Sequence, residues 1–303
     1  WLVLWIYRYR KQIKEGIKMK IYISVDMEGM AGICHARQEY DDTVRFRKAM
    51  QQQVEWVIEG IQKSSKNAEV EEILIADSHG AGRHLSYDDL SDMDDRIYLV
   101  SGTPRPQYMM PAMHSGYDVV FMVGYHAGVG QECGNMNHSY WGRTFHDFQI
   151  NGKYMNEATI NGAYAGSLNV PVGLVIGDSG LEKQLIDDAM MPWVEFVRTK
   201  DALSFLSAKY RPKKLIKEET IEKIDKVLNK DFTKIPRYIL EKPYLLHIEM
   251  NMCSMRDVAG LVPGAKCIDG RTIELESEDY EELFNAIVAI GYLTSSAFPA
   301  DVK

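Results

Sequence analysis

The chain predicts an α/β fold. Three observations lead there. Strand-like runs alternate with segments of helical period along most of the sequence. Several of the runs are apolar throughout, the pattern of strands covered on both faces. Stretches rich in Gly and Asn separate them, as loops do.

Residues 20–26 (KIYISVD) read as a buried first strand. A long helix is expected over 42–65, where Val54, Val57, Ile58 and Ile61 share one face. The second strand is 70–77 (VEEILIAD) and the third 96–100. Residues 105–115 are expected to be helical, with a break at Pro111. The fourth strand, 117–124 (YDVVFMVG), is dense in β-branched and aromatic residues. Residues 127–142 read as a loop. A hairpin follows, 144–150 and 153–155, turning at Asn151-Gly152. Asn156 caps a helix that runs to about Leu168. Residues 170–177 (VPVGLVIG) form another buried strand, and Asp178 reads as the cap of a helix starting near Ser179.

Beyond residue 200 the character changes. The Lys/Glu run over 213–230 reads as a solvated helix face, and strands are expected at 243–250, 265–268 and 272–275. Ser277 is the expected N-cap of a closing helix that reaches about Thr294, with Leu283, Ala286, Ile287 and Ile290 on one face. The expected organisation is therefore an extension outside the fold (1–18), a Rossmann-like three-layer sheet core (19–200) and a smaller α+β unit (201–303) that serves oligomerisation.

Composition narrows the function. The chain is 46% hydrophobic and 26% charged, which suits a globular protein, and its net charge of −8 without a basic run argues against nucleic acid. Cys34, Cys133, Cys253 and Cys267 are scattered without a C-x-x-C pair, as in a cytoplasmic protein with reduced thiols. No stretch has the roughly 18 apolar residues of a membrane span. At the N-terminus the apolar residues 1–7 precede Arg8, Arg10, Lys11 and Lys14, the reverse of a signal peptide.

Polar residues gather at strand ends, where open α/β sheets bind ligands. The first strand ends in Asp26, followed by Glu28 and Gly29; the second in Asp77-Ser78-His79; the fourth in Gly124-Tyr125-His126. Three strands thus bring Asp26, Glu28, His79 and His126 to one sheet edge. Such a set suits zinc, manganese or cobalt. An extended backbone through 26–28 would send both carboxylates to one face. A two-metal site needs one shared carboxylate between ions about 3.5–4 Å apart, and Asp26 is placed for that.

The motifs S-V-D-M-E-G (24–29), D-S-H (77–79), G-Y-H-A (124–127), N-H-S (137–139) and N-G…N-E (151–157) occur in this order. Together they resemble the zinc D-aminopeptidase family of the DppA type, over about residues 19–298. The resemblance implies two zinc ions per subunit, with Asp26, Glu28, His79, His126 and Glu157 as ligands and His138 in the catalytic role. It also implies hydrolysis of small peptides or amino acid amides at an N-terminal D-residue, and a ring-like homo-oligomer, a decamer, whose cavity admits small peptides. Asn161, four residues after Glu157 on the same helix face, is expected to orient that ligand or meet the substrate. His35, His84, His114, His146 and His247 carry no motif and read as structural or surface residues. The competing reading is another two-metal hydrolase, a phosphoesterase or amidase; a phosphoesterase needs Arg or Lys near the metals, and Arg83 and Arg143 are the nearby candidates.

Overall fold

A computed structural model describes residues 18–297. The expected extension over 1–18 lies outside them but for its last residue. The chain runs β1 (Met19–Val25), α1 (Gln38–Asp41), α2 (Thr43–Lys63), β2 (Val70–Asp77), α3 (Tyr87–Met93), β3 (Ile97–Val100), β4 (Val119–Tyr125), β5 (Phe145–Ile150), β6 (Lys153–Tyr154) and α4 (Glu157–Ser167). It continues with β7 (Val172–Asp178), α5 (Ser179–Glu182), β8 (Glu195–Ser204), β9 (Ser207–Tyr210), α6 (Lys213–Leu228), β10 (Tyr244–Met250), α7 (Cys253–Ala259), β11 (Lys266–Cys267), β12 (Thr272–Ser277) and α8 (Tyr280–Ser296).

Seven strands form the central sheet in the order β3-β2-β1-β4-β7-β8-β9, parallel except for β9. Alternate residues serve two cores. Ile21, Ile23, Val25, Ile73, Ile75, Val119, Phe121 and Val123 point to the face covered by α2 and α6. Tyr22, Leu74, Ala76, Val120, Met122 and Val175 point to the other, where α4, α8 and a second sheet pack. Both faces are covered, which is why β4 and most of β1 and β7 read as apolar runs. The second sheet is antiparallel, in the order β11-β12-β10-β5-β6. Residue 200 lies inside β8, and the second sheet takes β5 and β6 from before that point.

Two sequence expectations change. Residues 105–115 are a series of turns, with Gln107, Tyr108 and Ala112 at positive φ, a conformation no helix accommodates. The closing helix is capped by Asp279, whose side chain accepts from Glu281 N and Glu282 N, while Ser277 ends β12. Asp178 does cap the helix after β7, accepting from Leu181 N at 2.9 Å. All four cysteines are free thiols. No helix among the described residues is long and apolar enough to cross a membrane.

Candidate metal centre

Strand order reverses between β1 and β4, the place where parallel sheets open a crevice at their carboxyl edge. Asp26 leaves β1 there and His126 leaves β4. The two ends are drawn tightly together. Asp26 N donates to Val123 O at 2.8 Å and Gly29 N to Gly124 O at 2.7 Å. Gly124 has φ +79°, and a β-carbon on it would stand 2.2 Å from Asp26 O. The backbone after Asp26 turns instead of staying extended, closed by Met30 N to Met27 O at 2.9 Å, and the turn still delivers Glu28 beside Asp26.

His79 Nδ1 lies 3.0 Å from Asp26 Oδ1 and 3.3 Å from Glu28 Oε2. On the other side, His126 Nε2 lies 3.6 Å from Asp26 Oδ2 and 3.4 Å from Glu157 Oε1. Asp26 therefore turns one oxygen to each of two ligand sets, Asp26–Glu28–His79 and Asp26–His126–Glu157, and Glu28, His126 and His138 make a third group, the donor atoms gathering within 4.8 Å in each. Glu157 arrives from the first turn of α4. A capping box, Asn156 with Thr159, fixes that helix start, and its positive end favours a carboxylate. Tyr140 N donates to Glu157 Oε1 at 2.7 Å.

The cluster fits a cation. Asp26 Oδ2, Glu28 Oε2 and His126 Nε2 are buried and make no hydrogen bond. Such atoms are costly unless something satisfies them. Burial together with the neighbouring Glu28 and Glu157 charges raises the Asp26 carboxyl to about 7. Burial alone would lower the His126 pKa, but Glu157, Glu28 and Asp26 hold it up at about 10. These carboxylates repel one another at close range, the strain a bound divalent ion relieves.

His138 stands at the rim, its side chain 22% exposed, with Nε2 3.5 Å from Glu157 Oε1 and its ring stacked on His126 at 4.5 Å. Its Nδ1 donates to Met136 O at 2.8 Å, so Nε2 is the nitrogen that faces the centre. Asn161 is fully buried among Tyr140, Tyr125 and Met109: its Oδ1 accepts from Tyr140 Oη and its Nδ2 donates to Tyr125 Oη at 2.8 Å. It braces Tyr140, and through it Glu157, and does not line the opening. Arg83 lines cavities beside α2, one with Arg47 and Gln51 and one with Glu39 and His84, while Arg143 lines another with Tyr140 and Trp141.

Sequence reasoning missed two supporting residues. Lys200, buried in β8, donates to Glu28 O and Ile33 O at 2.5 Å and to Asn135 Oδ1 at 2.7 Å, tying the Glu28 turn to the His138 loop. Glu39 of α1 lies 3.8 Å from His79 Nε2 and 3.2 Å from His84 Nε2. The His79 and His84 imidazoles beside it outweigh partial burial and hold its carboxyl down at about 2. Neither has a local motif; only the fold brings them in.

A parallel α/β sheet with a carboxylate and imidazole cluster at its switch point places the chain among α/β proteins with a metal-binding site at the carboxyl ends of their strands. More particularly, the chain belongs to the D-aminopeptidase family, whose model matches residues 19–289. It is 28% identical over 283 residues to a D-aminopeptidase of Bacillus subtilis (strain 168), a match covering 90% of this chain and 96% of that protein. The fold is similar to that of the Zn-dependent D-aminopeptidase DppA from Bacillus subtilis, a self-compartmentalizing protease. That likeness has a TM-score of 0.81 at 25% identity and covers 91% of this chain and 98% of that one.

Proposed function

We propose that this chain is a zinc-dependent aminopeptidase that releases the N-terminal residue, a D-amino acid, from small peptides or amino acid amides. The observation that carries the reading is the division of Asp26: each oxygen faces its own set of carboxylate and imidazole donors. On this reading one zinc ion would be held by Asp26, Glu28 and His79 and the other by Asp26, His126 and Glu157, with manganese or cobalt as substitutes. A metal pair held by these residues would supply Lewis-acid polarisation of the scissile carbonyl and a water acidified toward about pKa 7.

The chain's own groups do the rest. His138 Nε2, facing the centre, accepts a proton from the attacking water and returns it to the leaving amine. Glu157, fixed by Tyr140 N, holds the carboxylate against which both His126 and His138 are set. The proposed assembly is a cytoplasmic ring of identical subunits, a decamer, in keeping with the self-compartmentalizing relative.

The test is a hydrolysis panel of paired D- and L-aminoacyl amides and dipeptides with a phosphodiester control, run after metal stripping and zinc return. Zinc-restored cleavage of the D-substrates is expected. Phosphodiester cleavage alone, or full activity after exhaustive chelation, would overturn the reading. Sedimentation analysis reports the ring.

A further inference from the structure

His84 stands between two carboxylates. Its Nδ1 is 2.8 Å from Asp77 Oδ1 and its Nε2 3.2 Å from Glu39 Oε1. The ring thus bridges the two carboxylates, one through each nitrogen. Asp77 also accepts from His84 N at 2.6 Å and Leu85 N at 3.0 Å. Phe46 meets the His84 ring edge to face at 5.6 Å. The imidazole is thus gripped from three sides, and it grips Glu39 in turn. The second Glu39 oxygen, Oε2, faces His79 Nε2.

His79 differs from the other two histidines of the site. His126 and His138 each donate Nδ1 to a carbonyl of their own loop, Ala127 O and Met136 O, both at 2.8 Å. That bond fixes Nδ1 as the nitrogen that keeps its proton, so Nε2 is the one offered to a metal. His79 points Nδ1 at Asp26 and Glu28, and among the described residues no carbonyl bonds its ring. A neutral imidazole that offers Nδ1 to a metal must keep its proton on Nε2, and that proton needs an acceptor.

We propose that Asp77, His84 and Glu39 form a positioning relay for His79, in which the Glu39 charge holds the Nε2 proton and so commits Nδ1 to the ion shared with Asp26 and Glu28. The inference rests on the zinc reading above. At 3.8 Å the Glu39 to His79 contact is longer than a hydrogen bond and acts through charge. The relay serves one ion only, because His126 has its own carbonyl partner.

Zinc-loaded wild type, Glu39→Ala, Glu39→Gln, His84→Ala and the Glu39→Ala/His84→Ala double variant are challenged with rising chelator, and protein-bound zinc per subunit is read. Glu39→Ala is expected to surrender one of its two ions at a chelator concentration about 10–100-fold lower than wild type, while the second ion is retained. Glu39→Gln, which keeps the shape but not the charge, must also shift. His84→Ala shifts less than Glu39→Ala, and the double variant no further than Glu39→Ala alone, since His84 acts through Glu39. A Glu39→Gln curve superimposed on wild type would overturn the relay, and so would equal loss of both ions with a matching fall in unfolding temperature. A wild type that binds no zinc would instead sink the metal reading itself.

Discussion

Gly29 packs directly on the backbone of Tyr125: a β-carbon at Gly29 would stand 1.8 Å from the Tyr125 carbonyl oxygen. This contact lets the turn carrying Glu28 lie across the end of β4, so that ligands from β1 and β4 share one centre. The D-x-E-G spelling is therefore a packing requirement as much as a ligand pattern. Gly29→Ala must push the two strand ends apart. Overpacking of this kind costs about 1–3 kcal/mol, and here it also moves Glu28. The expected outcome is a lower unfolding temperature and less than full zinc occupancy, measured by calorimetry and elemental analysis. Wild-type values for both would mean that the turn relaxes freely.

His138 Nε2 faces the centre from the rim, where His138 also falls in a potential metal-holding group with Glu28 and His126, and the proton-transfer role proposed for it leaves the metals to the other five residues. It can move a proton without holding a metal. His138→Ala is expected to lower kcat by about 10²–10⁴-fold, the usual worth of general acid–base help, while zinc content stays near that of wild type. Full activity in the variant removes His138 from the reaction; loss of zinc in parallel makes it a ligand instead.

How much of this was legible follows from where each residue sits. Asp26, His79 and His126 follow the buried ends of strands, so an apolar stretch announces each, and β1, β2, β4 and β7 lie where periodicity puts them within a residue or two. Glu157 opens a helix after a hairpin, and no spacing rule connects it to β1; only the family resemblance names it. Glu39 sits in a four-residue helix of ordinary polar sequence. β8 was missed because its buried positions include Thr199 and Lys200, and Lys200 is tolerated inside only because three oxygens surround its ammonium. Periodicity reads apolar burial; a buried cation breaks the pattern it relies on.

Glu195 opens β8 at the far end of the sheet from the metal centre's strand ends, where three lysines of α6 and the residues after it converge on it: Lys223, Lys226 and Lys230 approach within 3.0 Å or less. Burial alone would raise its pKa, but bonds from Lys230, Lys226 and Lys223 outweigh it and bring the carboxyl down to about 2. Between pH 4.5, its ordinary value, and about 2 the unfolded chain binds a proton that the folded chain does not. Stability from Glu195 is therefore complete above pH 4.5 and is lost as pH falls through that window. Its worth is about 1–3 kcal/mol once solvent screening of the half-exposed lysines is counted. Glu195→Gln should thus unfold in less urea than wild type at pH 7, and the gap should close steadily toward pH 3. Acid release of bound metal affects both proteins alike and cancels in the difference. A gap that stays constant with pH would show that Glu195 stabilises β8 by shape and not by charge.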